Sequence, residues 1–154
     1  MELQLHRDGD SLTLSSPFWK VRHDLKQGGC VSSVTITHGS AKNLLKAPIA
    51  AAVDGRFFEC LETEPDCRVR RLTDSILVEF GGVMQSVGGS ASPIRYEHSY
   101  LYTLYSIRNE LRIIPRATFR ARIVTACAVE LEPSLDEYAW GSTDYEKRKP
   151  RYMD

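Results

Sequence analysis

Tyr96, His98, Tyr100 and Tyr102 occupy alternate positions of one segment. In an extended strand successive side chains point to opposite faces, so these four share a face while Leu101, Tyr105 and Ile107 fall on the other. A flat ring with a polar edge suits the apolar face and hydroxyl rim of a pyranose, which makes the row a candidate sugar platform. Taken singly, each Tyr reads more readily as an ordinary cross-strand contact that stabilises a sheet. Four polar-tipped rings in a row are harder to bury and satisfy together, and this favours the ligand reading for the row. Arg112, Arg116 and Arg120 alternate with Leu111, Ile113 and Phe119 in the next segment, so one of its faces is basic. Guanidinium forks bind carboxylates or sulfates two bonds at a time, as an acidic polysaccharide requires. The competing account is a solvated face in which Arg residues pair with Glu59, Glu79, Glu97 and Glu130.

Candidate acid and base groups are His23, His38, His98, Glu62, Glu64, Asp136 and Glu137, of which His98 sits among the tyrosines. No two of them have a separation defined by the sequence, so no enzyme class emerges from motifs. Nucleophile elbows and phosphate-cradling glycine patterns are absent. Cys30, Cys60, Cys67 and Cys127 contain no C-x-x-C pair and no zinc spacing, which leaves no metal site and no cofactor to assign. Cys60 and Cys67 either bridge across the Glu64-Pro65-Asp66 turn or remain buried thiols.

The elements that must position these residues are strands. Leu12 and Leu14 alternate with Ser11, Thr13 and Ser15; 18–23 and 30–37 flank a turn carrying Gly28-Gly29 and read as a hairpin. A strand is expected within 47–53, although Pro48 confines it to a strand start or an edge. Asp54-Gly55 marks a turn, followed by strands at 57–61, 67–72 and 76–80. The Gly/Ser-rich stretch 86–93 reads as a surface loop. The segments 94–107, 111–119 and 120–131 form a meander, with Arg108-Asn109-Glu110 as the turn between the first two. Such spacing predicts an all-β, antiparallel β-sandwich in a single domain spanning 1–154, with a charged tail at 144–154.

With 154 residues the chain can bury a core without staples. Lys+Arg and Asp+Glu both number 20, so no global basic field draws it to nucleic acid. No run approaches the roughly 18 apolar residues of a membrane helix. No signal peptide is visible in the sequence given, and cytoplasmic and secreted locations both stay open.

Three stretches carry a family resemblance. Glu137-Tyr138-Ala139-Trp140-Gly141-Ser142-Thr143-Asp144-Tyr145-Glu146-Lys147-Arg148-Lys149 resembles a Trp-Tyr-Gly, Glu-Asn-Tyr, Arg-Lys segment of galactose mutarotase-like domains in large β-galactosidases. The run from Pro17 to Asn43 is similar to the opening of such supersandwich domains, and the pair 95–107 and 111–119 resembles their Tyr-rich strand followed by an apolar one. The resemblance touches about half the chain and implies a partial or compact galactose mutarotase-like supersandwich that contacts oligo- or polysaccharide. Epimerase acid and base motifs have no counterpart here. The expectation is a carbohydrate-recognition domain associated with polysaccharide degradation, its substrate contacts being Tyr96, His98, Tyr100, Tyr102, Arg112, Arg116 and Trp140. Two alternatives stand beside it. One is part of a glycoside hydrolase or polysaccharide lyase active site; the other is a structural or dimerisation sandwich covered by a homodimer partner or a downstream domain.

Overall fold

In the computed structural model the period-two pattern becomes eleven short to medium strands, and the structure describes residues 2–38, 42–45, 47–89, 92 and 94–115. The clearest case is β10 (Ile94–Tyr102), whose Ile94, Tyr96, His98, Tyr100 and Tyr102 are buried while Arg95 and Glu97 face solvent. The same rule places Leu12 and Leu14 of β2 (Ser11–Ser15) inward, along with Trp19, Val21 and His23 of β3 (Trp19–Asp24). It also buries Ile76, Val78 and Phe80 of β8 (Ile76–Val83). A period of two leaves each strand one apolar face, and that face must be covered.

Two four-stranded antiparallel sheets cover each other. The first runs β1 (Gln4–Asp8), β2, β3, β4 (Cys30–Ile36); the second runs β11 (Ile107–Pro115), β10, β8, β7 (Asp66–Arg71). A small third sheet joins β5 (Ala52–Val53), β6 (Phe57–Phe58) and β9 (Gln85–Ser86). Inner-face residues of both large sheets belong to one apolar cluster, with Trp19 against Tyr102 at 5.5 Å and His23 against Tyr100 at 4.7 Å between ring centres. This is an all-β antiparallel sandwich. Each large side chain buried in it contributes on the order of 1.5–3 kcal/mol of hydrophobic stabilisation before entropy is set against it.

The hairpin between β3 and β4 turns through Gly28 and Gly29, both at positive φ (66° and 74°). A methyl group on Gly29 would lie 2.3 Å from the Phe80 ring, and one on Gly28 would lie 2.3 Å from the Glu59 carbonyl oxygen. Glycine is needed here on both counts, conformation and close approach.

Several strand boundaries differ from the sequence expectation. The turn between β10 and β11 is Thr103–Ser106, not Arg108-Asn109-Glu110, which lies inside β11. The cause is local: Thr103 Oγ1 accepts from the backbone N–H groups of Tyr105 and Ser106, closing a turn that polar residues at 108–110 only mimic. Pairing begins at Ile107, which faces Tyr102. The strand expected at 57–61 stops at Phe58 and becomes a 3₁₀ turn, Glu59–Leu61, because Glu59 is drawn inward. Within 47–53 only Ala52–Val53 is a strand, Ile49 making a single bridge to Val31. β1 was not anticipated, since as an edge strand it is largely exposed and carries only Leu5 as an apolar residue. The third meander segment, 120–131, and the tail 144–154 lie outside the described residues. Among the described residues no helix is long and apolar enough to cross a membrane.

Candidate functional site

The inner face of β10 holds the tyrosine row, and it is closed. Tyr96 and Tyr102 are 0 % exposed, Tyr100 1 % and His98 5 %. The expectation that this face meets a sugar is corrected by that burial: the first sheet packs over it, and each tyrosine hydroxyl has found a partner inside. The Tyr96 hydroxyl donates to the Gly28 carbonyl at 3.1 Å, and the Tyr100 hydroxyl lies 3.1 Å from His98 Nδ1. Tyr102 reaches His23 Nε2 at 2.5 Å. His23 Nδ1 lies 2.6 Å from the Gly29 carbonyl, which can only accept, so Nδ1 carries the proton and Nε2 accepts from Tyr102. Burial lowers the His23 pKa to about 4; the Gly29 bond opposes this and neighbouring His98 adds to it, so the ring is neutral at pH 7. Burial likewise pushes the Tyr96, Tyr102 and Cys30 groups up, keeping them protonated.

The carboxylate in this interior is Glu59, fully buried, with Oε1 2.6 Å from His98 Nδ1 and Oε2 accepting from the Ala51 N–H at 3.0 Å. A carboxylate holding one imidazole nitrogen while leaving the other open is how catalytic and metal-binding histidines are oriented. Here His98 Nε2 is buried and without a hydrogen-bond partner among the described residues, and its ring stacks on Tyr100 at 4.3 Å. No group of three or more His, Cys, Asp or Glu residues among those described is placed to hold a metal ion. The network ties Glu59, His98, Tyr100, His23 and Tyr102 to the Gly28-Gly29 turn and locks the two sheets together.

The outer face of the same sheet is open. Its register sets two charged rows side by side: Arg112, Glu97, Gly81, Asp66, and Glu110, Ser99, Glu79, Arg68. Gly81 supplies no side chain between Glu97 and Asp66, and a hollow of about 330 Å³ opens over it, rimmed also by Arg95. A methyl group on Gly81 would have as its nearest neighbour the Tyr96 carbonyl oxygen at 3.7 Å, so the gap is not imposed by crowding. Arg112 lies 3.4 Å from Glu97 and Arg70 lies 3.2 Å from Glu79, both exposed pairs. Arg68, Arg95, Asp66 and Glu110 form no ion pair with another described residue. Carboxylates and guanidinium forks thus surround one concavity, some paired and some with no ion-pair partner among the described residues.

Of the residues expected to contact substrate, only Arg112 and His98 border this hollow, and His98 does so from a strand whose side chain at that position points inward. Tyr96, Tyr100 and Tyr102 are interior; Arg116 and Trp140, with Asp136 and Glu137, lie outside the described residues. His38 and Glu64 are exposed, and Glu62 is occupied, accepting from the N–H groups of Glu64 and Val83. Cys30, Cys60 and Cys67 are free thiols. Asp66, Glu79, Ser99 and Glu110 were not singled out as a site from sequence. The signal that could have found them is the second half of the alternation, read across strands around Gly81. Compared with known proteins, the chain matches no family model and no curated protein.

Proposed function

We propose that this sandwich is a carbohydrate-recognition domain associated with polysaccharide degradation, and that it takes sugar at the hollow over Gly81 on the outer face of β7, β8, β10 and β11. The carrying observation is the hollow itself, in which Glu97 and Asp66 face each other across a residue with no side chain while Arg68 and Arg95 at the rim form no ion pair among the described residues. A sugar hydroxyl both donates and accepts, so neighbouring hydroxyls are matched by alternating carboxylates and guanidinium groups, and ligand sites are concave with a few convergent polar groups. The sequence resemblance to galactose mutarotase-like supersandwich domains supports the same ligand class. With four carboxylates against three guanidinium groups on the lining, a neutral polysaccharide fits better than an acidic one.

The chain run through gels containing neutral or acidic polysaccharides tests this directly. Retardation by a neutral glycan, reduced tenfold or more by Asp66→Ala with Arg68→Ala, is the expected result. Unretarded migration on every glycan refutes the proposal. One observation favours the glycoside hydrolase alternative: two strand spacings put the α-carbons of Asp66 and Glu97 about 10 Å apart, from which two carboxyl groups can reach the roughly 6.5–9.5 Å separation of inverting enzymes. Release of reducing ends that Glu97→Gln abolishes would select that reading over simple binding.

A further inference from the structure

The outer face of β7, β8, β10 and β11 carries a charge pattern that complements itself. Across the sheet one row reads Arg112, Glu97, Gly81, Asp66, and the next, two residues along each strand, reads Glu110, Ser99, Glu79, Arg68. Beyond the first row the register sets Ile114, Arg95 and Val83 abreast; beyond the second it sets Arg108, Leu101, Leu77 and Arg70. Val83, Leu77, Leu101 and Ile114 are half-buried, so a charged band lies between two partly apolar margins.

A second copy turned over about an axis that runs across the strands, midway between the charged rows, lays each row on the other. Arg112 then meets Glu110 of the second copy and Asp66 meets Arg68, while Glu97 meets the Ser99 hydroxyl and Glu79 enters the gap left by Gly81. Each contact occurs twice, as a two-fold axis requires. No charge meets its like. At the margins Val83 lies over Leu77, and the stems of Arg95 and Arg108 lie over Leu101 and Ile114. A two-fold running along the strands also pairs the charged rows, but it sets Arg108 over Arg70, and that repulsion selects the first axis.

We propose that this face is an interface between two copies of the chain, related by the two-fold across β7, β8, β10 and β11 that sets Asp66 against Arg68 and Arg112 against Glu110. Four strands about 4.8 Å apart and four rows about 6.8 Å apart span roughly 500 Å² on each copy, below the roughly 800 Å² of a standard stable interface. The dimer is therefore transient, and its charge pairs set orientation and salt dependence more than affinity. Glu79 of each copy covers the hollow of the other, so the second copy and a sugar over Gly81 exclude one another. The interface itself does not depend on the hollow taking sugar, and its test contains none.

Sedimentation equilibrium of the whole chain over about 10–500 µM, the span of a weak complex, should show a monomer–dimer equilibrium. Its dissociation constant should rise at least tenfold between about 50 and 500 mM NaCl. Asp66→Arg opposes two arginine pairs across the axis, and Arg68→Asp opposes two aspartate pairs, so each alone should weaken the dimer at least tenfold. Mixed in equal amounts, the two variants should dimerise like the wild type, because both contacts between these positions then join opposite charges. Asp66→Arg with Arg68→Asp in one chain should do the same, an outcome readable even if one single variant does not fold. A chain that stays monomeric over the whole range overturns the proposal. So does a dimer that both single variants leave intact, or one that neither the mixture nor the double exchange restores.

Discussion

The two faces of the sheet formed by β7, β8, β10 and β11 come from the same residues taken alternately, yet they do opposite work. On the inner face of β10, every polar tip is buried and bonded except His98 Nε2, and the side chains are fixed by the opposite sheet. On the outer face, the charged side chains are set out by register and exposed, and they are tied by no more than the surface pairs Arg112–Glu97 and Arg70–Glu79 among the described residues. The comparison separates two meanings of a polar residue in a strand. Buried polar groups specify how sheets dock, because an unmade hydrogen bond inside is expensive. Exposed ones contribute little to stability and are available for recognition.

Substitutions can break this contrast or make it sharper, and the largest effect belongs inside. Glu59→Leu strands His98 without its acceptor and removes the partner of the Ala51 N–H, so chemical denaturation should show a loss of about 3–5 kcal/mol. Acid comes next. The His23 pKa in the folded state, about 4, lies below its ordinary 6.5, so the unfolded chain binds the proton more readily. The stabilisation is present above pH 6.5 and lost as pH falls toward 4, amounting to about 3 kcal/mol in urea titrations repeated across that window. Tyr96→Phe keeps the ring but orphans the Gly28 carbonyl, and should cost about 1–2 kcal/mol in the same assay. Arg112→Ala removes an exposed pair whose side chains are 72 % and 56 % accessible, and should change stability by less than about 0.5 kcal/mol while weakening sugar retention. An outer-face variant as damaging as Glu59→Leu would dissolve the distinction.

How much of this was legible in the sequence follows the same divide. Strand identity could be read wherever alternation was strong, as in β2, β3, β8 and β10, since a half-buried strand writes its period into its residue types. β1 could not, because an edge strand with one apolar side chain has no period to show. The position of the β10–β11 turn depended on Thr103 capping its own turn, which competed with the more polar Arg108-Asn109-Glu110. The tyrosine row was visible as a row, but its direction relative to solvent was not. What decides it is the supply of partners from elsewhere: His23 lies 79 residues from Tyr102, and Glu59 lies 39 from His98. Separations of that size leave no mark on local spacing. The outer hollow was half legible, its charges being evident and its concavity depending on Gly81 falling between Glu97 and Asp66.

Gly81 offers the most direct measurement of whether the outer face is the recognition surface. Its outward side is open and no positive φ is required there, so Gly81→Val fills the hollow with a strand-favouring side chain and should leave thermal stability equal or slightly raised. Affinity electrophoresis of Gly81→Val beside Tyr100→Phe in a gel containing the retarding neutral polysaccharide is the decisive comparison. The account predicts that Gly81→Val migrates unretarded while Tyr100→Phe, once shown to be folded, is retarded like the wild type. Retention by Gly81→Val together with loss in a folded Tyr100→Phe would contradict it and return recognition to the inner face.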